Sequence, residues 1–248
     1  IPFYDPIRLA EDAALLDNLS EGRLILGTGS GYQPKEFEGF NIEPDSSKER
    51  YNEIIEILRL AWSEEKWSYE GHYYQYKEMS VHPRPVQNPL PILHAAVSPE
   101  SFSRLGNTGE RLITSPNFTP LERMKKNFSA YTDALISAGL RPDEFERPFM
   151  QQVWSGSDEK GKKAAAEAAL RYYQMVGKVI PGQQKGLNYS DQEKMAYYAK
   201  VKRGIDLLTL EDTLIYGGNF GNAQFVIDSL KILEEEMGVD HYIGWFRI

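Results

Sequence analysis

The sequence predicts a parallel α/β protein, and three observations carry that prediction. Segments 23–29, 91–97, 111–115, 149–154 and 241–248 are short apolar runs that read as buried strands. Between them lie stretches with the i, i+3/i+4, i+7 spacing of amphipathic helices. The strands are almost continuously apolar, as expected of a parallel sheet covered on both faces. At 248 residues, 41% hydrophobic and 26% charged, the chain can bury about three-quarters of its unfolded surface in a sizeable core. Five strands satisfy a doubly wound sheet, whereas an eight-stranded barrel needs three more. No repeat of fixed period is visible.

Asp5-Pro6 opens the first helix, with a carboxylate cap followed by proline at the first helical position. Leu9, Ala13 and Leu16 form its core stripe, and Glu21-Gly22 closes it. Strand 23–29 then runs into glycines, and 32–45 reads as a loop. Ser46 and Glu49 have the spacing of a capping box, opening a helix with Tyr51, Ile54, Ile55, Leu58 and Trp62 inward. Residues 67–90 are an aromatic, proline-rich excursion with a small hairpin. Strand 91–97 leads into a helix from Ser98-Pro99-Glu100 to about Gly106, and strand 111–115 precedes a helix from Pro120 that stops at Gly139. Strand 149–154 is followed by an alanine-rich helix from Asp158 to about Val176. Segment 177–212, polar and tyrosine-rich, reads as irregular helices. Gly217-Gly218-Asn219-Phe220-Gly221-Asn222 reads as a turn, and a last helix carrying Val226, Leu230, Leu233 and Met237 enters the final strand.

Composition excludes several functions. With no cysteine there is no disulfide framework, thiolate metal site, iron–sulfur cluster or cysteine nucleophile. A net charge of −8 without basic runs argues against nucleic acid or an anionic membrane as partner, and no apolar run approaches bilayer-spanning length. A cytoplasmic enzyme is the expectation. The chain opens on Ile1 and stops inside strand 241–248, so a piece of a longer polypeptide is expected.

Function in parallel α/β folds collects at the carboxyl ends of strands. One such end is Gly27-Thr28-Gly29-Ser30-Gly31, whose N–H groups can approach a phosphate. It lacks the G-x-G-x-x-G spacing, and the next helix begins some fifteen residues on, so it is either an anion loop or a tight strand exit. Ser98 and Ser101 place two hydroxyls at a helix N-terminus, an anion site or simply a cap. The four histidines, His72, His82, His94 and His241, lack metal-ligand spacing. His94, inside an apolar strand, reads as a hydrogen-bonded core residue rather than a base.

Residues 5–32, from Asp5-Pro6-Ile7-Arg8-Leu9-Ala10 to Gly27-Thr28-Gly29-Ser30-Gly31-Tyr32, resemble the signature stretch of the bacterial luciferase-like monooxygenases. Glu36-Phe37-Glu38-Gly39-Phe40, Tyr69-Glu70-Gly71, Pro83-Arg84-Pro85-Val86-Gln87, residues 92–98 and Met237-Gly238-Val239-Asp240-His241 fit the segments that follow.

The resemblance implies a flavin-dependent oxidoreductase on a TIM-barrel-type (β/α) fold. This chain would form a single partial barrel domain over 1–248, with about five of the eight strands, an excursion at 67–90 and an insertion at 177–212. The leading expectation is a monooxygenase using reduced FMN and O₂ on a small organic substrate, served by a separate flavin reductase and forming a homodimer. The alternatives are a deazaflavin-dependent dehydrogenase or reductase moving hydride, and a non-catalytic truncated flavin-binding relative. In the family the flavin phosphate is held at the two strand ends described above. The resemblance therefore assigns cofactor binding to Gly29, Ser30, Gly31 and Tyr32 on one side and to Val97, Ser98 and Ser101 on the other. Many members carry arginine where this chain has Ser30, so a charge-assisted contact is lost. The catalytic base belongs to strands upstream of Asp5, so no catalytic residue is assigned, and no metal is expected. The aromatic excursion and segment 177–212 are candidates for a lid and a substrate wall, or for surface packing.

Overall fold

Residues 1–116, 119–180 and 192–246 are described by a computed structural model. They group into two units, Ile1–Leu93 with Val179–Lys200, and His94–Lys178 with Val201–Ile248.

In the first unit, α1 (Pro6–Leu19) starts where Asp5 caps it, accepting from the N–H groups of Ile7 and Arg8 at 3.0 and 3.1 Å. Its small residues Ala10, Ala13 and Ala14 let it approach the core closely. After β1 (Leu26–Thr28) come α2 (Pro34–Gly39), a 3₁₀ turn at Pro44–Ser46 and α3 (Ser47–Ser63). The expected loop at 32–45 thus contains a helix, started by Pro34 and filled by the buried Phe37. The expected capping box is also corrected. Ser46 is helical and its Oγ donates to Glu43 O at 2.7 Å. Because the turn at Pro44 leads straight into α3, preceding carbonyls serve the first N–H groups. The predicted stripe of α3 forms the core with Ile57 and Ala61, and the Trp62 indole donates to Ala10 O at 3.1 Å. The predicted hairpin is β2 (Trp67–Glu70) antiparallel to β3 (Gln75–Met79). Strand β4 (Ile92–Ala95) begins in this unit, where Leu26 N–H donates to Pro91 O at 2.9 Å.

The second unit takes up β4 at His94. It continues through α4 (Pro99–Asn107), β5 (Leu112–Ile113), α5 (Leu121–Ser137), β6 (Pro148–Ser155), α6 (Glu159–Val179), α7 (Gln192–Asp206), α8 (Leu210–Tyr216), β7 (Asn219–Gly221), α9 (Ala223–Met237) and β8 (His241–Phe246). Every pairing here is parallel. His94 and Ala95 oppose Leu112 and Ile113, a bridge joins Thr114 to Phe149, and β6 lies between β7 and β8. All five predicted strands are present. β7 is a sixth, at residues expected to turn: the glycines and asparagines signal a turn locally, but all three strand residues are buried and paired with β6. The core gathers Phe102, Leu105, Leu112, Phe128, Tyr131, Phe149 and Met237. Segment 177–212 holds regular helix in α7, and its residues 181–191 lie outside the described ones. No helix among the described residues is long and apolar enough to cross a membrane.

Arg147 fastens the end of α9. Its guanidinium donates to Met237 O at 2.8 Å and to Thr132 Oγ1 at 2.9 Å, while its backbone N–H donates to Asp240 Oδ1 at 2.7 Å. Gly238, which ends α9 at φ 65°, cannot be replaced without crowding, because a Cβ there would lie 2.5 Å from Arg147 Nη1.

Candidate functional site

Two strand exits hold the residues expected to bind a cofactor, one in each unit. In the first unit Thr28 is buried, donating to Leu93 O at 3.1 Å and sharing a 2.9 Å hydrogen bond with the Tyr51 hydroxyl. The chain then leaves β1 through Gly29, Ser30, Gly31 and Tyr32, all half-buried. Ser30 O accepts from the Ser47 hydroxyl at the start of α3. Gly31 sits at φ 81°, and a Cβ there would come within 3.0 Å of the Phe3 ring and 3.2 Å of the Phe37 ring. Glycine is therefore required for both conformation and space. The Tyr32 ring faces that of Tyr198, centroids 6.5 Å apart.

In the second unit Ser98 is the N-cap of α4, accepting from Ser101 N–H at 3.3 Å. The Ser101 hydroxyl donates to Ser98 O at 2.5 Å and accepts from Val97 N–H at 3.1 Å. Both serines thus build the cap, and their oxygens are gathered where the helix dipole is positive. Glu100, in the first turn, shares this environment: its own N–H and then the Ser98 hydroxyl hold its carboxyl below the usual carboxylate range. The donor set of hydroxyl and N–H groups fits a phosphate oxygen. No cation stands among residues 97–101, and the Glu100 carboxylate competes for the same end of the helix.

Other sequence candidates fall away. His94 Nε2 lies 3.1 Å from Glu110 Oε2, and its side chain shares a face with Leu112 of the core. The aromatic hairpin is tied to α3. Tyr69 OH donates to Glu56 at 2.7 Å, Tyr73 OH to Glu49 at 3.0 Å, and the Glu53 carboxylate accepts from the N–H groups of His72, Tyr73 and Tyr74 at 2.9 to 3.2 Å. This supports packing rather than a lid. No group of three His, Asp or Glu side chains that could hold a metal occurs among the described residues.

Sequence reasoning missed Gln152. It is 5% exposed on β6, and its side-chain nitrogen is buried without a hydrogen-bond partner among the described residues. Such a group costs about 1–3 kcal/mol when left unpaired. Its only signal in the sequence was a pair of amides, Gln151 and Gln152, at the centre of a strand that is apolar on either side of them.

A parallel α/β protein with polar donors at its strand exits belongs to a class that places ligands at the carboxyl ends of strands. Comparison narrows this. The model of the luciferase-like monooxygenases matches residues 1–241, and the chain belongs to that family. The oxygenase component of the flavin-dependent trigonelline monooxygenase of Acinetobacter baylyi is 26% identical over 98% of this chain and 67% of its own. An F420-dependent glucose-6-phosphate dehydrogenase of Amycolatopsis mediterranei is 31% identical over 54% of this chain and 39% of its own. The crystal structure of the monooxygenase RslO1 from Streptomyces bottropensis superposes with a TM-score of 0.76 at 26% identity, covering 100% of this chain and 68% of that one. For uncharacterised mycobacterial relatives at 30% identity, the match spans half of this chain and 44% of theirs.

Proposed function

We propose that this chain is part of a flavin-dependent oxidoreductase on an incomplete (β/α) barrel, a monooxygenase that uses reduced FMN and O₂ on a small organic substrate. The observation that carries the reading is the N-terminus of α4. An N-capped helix follows a parallel strand there, with the Ser98 and Ser101 hydroxyls collected at its positive end. Ser98 and Ser101 bind the cofactor's phosphate, with Val97 beside them. Within the first unit, Gly29, Ser30, Gly31 and Tyr32 offer N–H and hydroxyl donors to the cofactor at the exit of β1, where the Ser47 hydroxyl donates to Ser30 O. When bound, the flavin supplies the redox chemistry; the protein binds and orients it and excludes water. A separate flavin reductase supplying the reduced cofactor fits the oxygenase-component relative.

A deazaflavin coenzyme is the second reading, and the Glu100 carboxylate favours it. A phosphodiester with one charge is repelled less there than the dianionic monoester of FMN. Titration of the chain with FMN, and separately with the deazaflavin coenzyme F420, followed by fluorescence quenching, tests both. The expected result is micromolar binding of one, weakened about 10-fold or more in Ser98→Ala. Incorporation of isotopically labelled oxygen from O₂ into product, by the chain supplied with photoreduced FMN and a substrate panel, then separates oxygenation from hydride transfer. Binding of neither cofactor would overturn the reading.

A further inference from the structure

Helix α3 grips the exit of β1 at two points one helical turn apart. Tyr51 shares a 2.9 Å hydrogen bond with Thr28, and Ser47 donates its hydroxyl to Ser30 O. Ser47 is fully buried and Thr28 is 4% exposed, so both contacts are sheltered from water. A serine at a helix start commonly turns its oxygen to the N–H groups of its own helix. The Ser47 hydroxyl instead reaches back seventeen residues, and the preceding Ser46 makes no side-chain cap either. The bond to Ser30 fixes one peptide plane. In a trans peptide the C=O and the N–H that follows it point in opposite directions. The Ser30 carbonyl is turned toward α3, so the Gly31 N–H is turned away from it, and there it meets no acceptor among the described residues. The left-handed φ of Gly31, 81°, belongs to the same fixed geometry.

We propose that Ser47 is a positioning residue for phosphate binding: by holding Ser30 O it presents the Gly31 N–H as a donor to a phosphate oxygen that Ser47 itself never touches. Backbone N–H groups at such a turn favour an anion, whereas a carbonyl turned the same way repels it. Released from Ser47, the peptide between Ser30 and Gly31 is free to rotate and exchange the one for the other. A donor held in place beforehand also lowers the cost of ordering it when the ligand binds. The assignment rests on the reading of the β1 exit as a phosphate site and adds to it a buried residue on a neighbouring helix.

FMN and riboflavin, which differ only by the phosphate, are the paired probes, titrated into the full chain and read by fluorescence quenching. Wild type is expected to bind FMN about tenfold or more tighter than riboflavin. In Ser47→Ala that preference is expected to shrink by about five- to tenfold, the worth of one hydrogen bond, with riboflavin affinity unchanged. Ser46→Ala, which removes a hydroxyl bonded to Glu43 O instead, is expected to keep the full preference. In isotope-labelled protein followed by NMR, the Gly31 amide should shift on addition of inorganic phosphate in wild type and stay in place in Ser47→Ala. A full FMN preference surviving in Ser47→Ala would overturn the proposal and leave the phosphate reading standing. Equal losses of FMN and riboflavin affinity in Ser47→Ala would overturn it as well, since a serine that only supports the fold acts on both ligands alike. Equal affinity of wild type for the two flavins, with an unmoved Gly31 amide, would overturn the phosphate reading at this exit and the assignment with it.

Discussion

At Asp17 the solvent-free environment and the hydrogen bonds pull in opposite directions. The residue is fully buried on α1, and its carboxylate accepts from Gln87 N–H at 2.9 Å and the Gln87 amide at 2.7 Å. Burial alone would raise its pKa; the donors, Gln87 first, outweigh it and hold the carboxyl below its usual range. A depressed carboxylate contributes stability that is present above the unfolded value of about 3.9 and is lost as pH falls through the folded value. Denaturant midpoints measured from pH 6 downwards should therefore fall below about pH 4 in wild type. Asp17→Asn should cost about 1–3 kcal/mol at neutral pH and show a shallower acid limb. Glu100 is predicted to act in the opposite sense on the ligand: Glu100→Gln should tighten FMN more than F420 in parallel titrations, since it removes a repulsion felt most by a dianion. Gly31→Ala, strained by its positive φ and by the Phe3 and Phe37 rings, should lower stability by about 1–2 kcal/mol or more, measurable as a reduced urea midpoint.

The hairpin β2–β3 and the helix α3 behave as one element. Glu49, Glu53 and Glu56 lie on one side of the helix, and each receives hydrogen bonds from the hairpin. Glu53 matters most, because it serves three consecutive N–H groups, and Gly71 leaves room for it: a Cβ there would be 2.4 Å from Glu53 Oε2. Chemical denaturation should rank the substitutions accordingly. Glu53→Ala is predicted to cost more than Tyr73→Phe, the latter about 0.5–1.5 kcal/mol. From the sequence the hairpin was legible and its attachment was not, because a glutamate on a helix looks the same whether it faces water or a turn distant in sequence. The failure of the Ser46 capping box has a local cause instead. The residue types were right, but Pro44 had already begun a turn that supplied the bonds.

For the chain as a whole, apolar runs sufficed to locate the five strands β1, β4, β5, β6 and β8, since near-continuous apolar composition is written in the sequence itself. They did not locate β7, whose three residues carry no pattern of their own and are held by pairing with β6. The serines at α4 were legible because a cap is a local device. Gln152 was not, because the lack of a partner is a property of packing. The net charge of −8 has a kinetic corollary for an anionic cofactor. Stopped-flow association of FMN should accelerate as ionic strength rises from about 10 to 150 mM, because screening relieves long-range repulsion.

The tyrosines that tie down the hairpin also have an optical consequence. Burial first, and then the Glu56 and Glu49 carboxylates, push the phenols of Tyr69 and Tyr73 above their ordinary range. Burial raises Tyr76 to about 12, with Asp5 adding to it. In the unfolded chain each would ionise near pH 10. The stability they confer is therefore complete below that pH and is withdrawn as alkali carries the solution toward the folded values. Followed by phenolate absorbance, an alkaline titration should give a first wave from the exposed rings and a delayed second wave. Tyr69→Phe should shrink the second wave, making the ultraviolet absorbance of the solution a gauge of whether the hairpin still grips its helix.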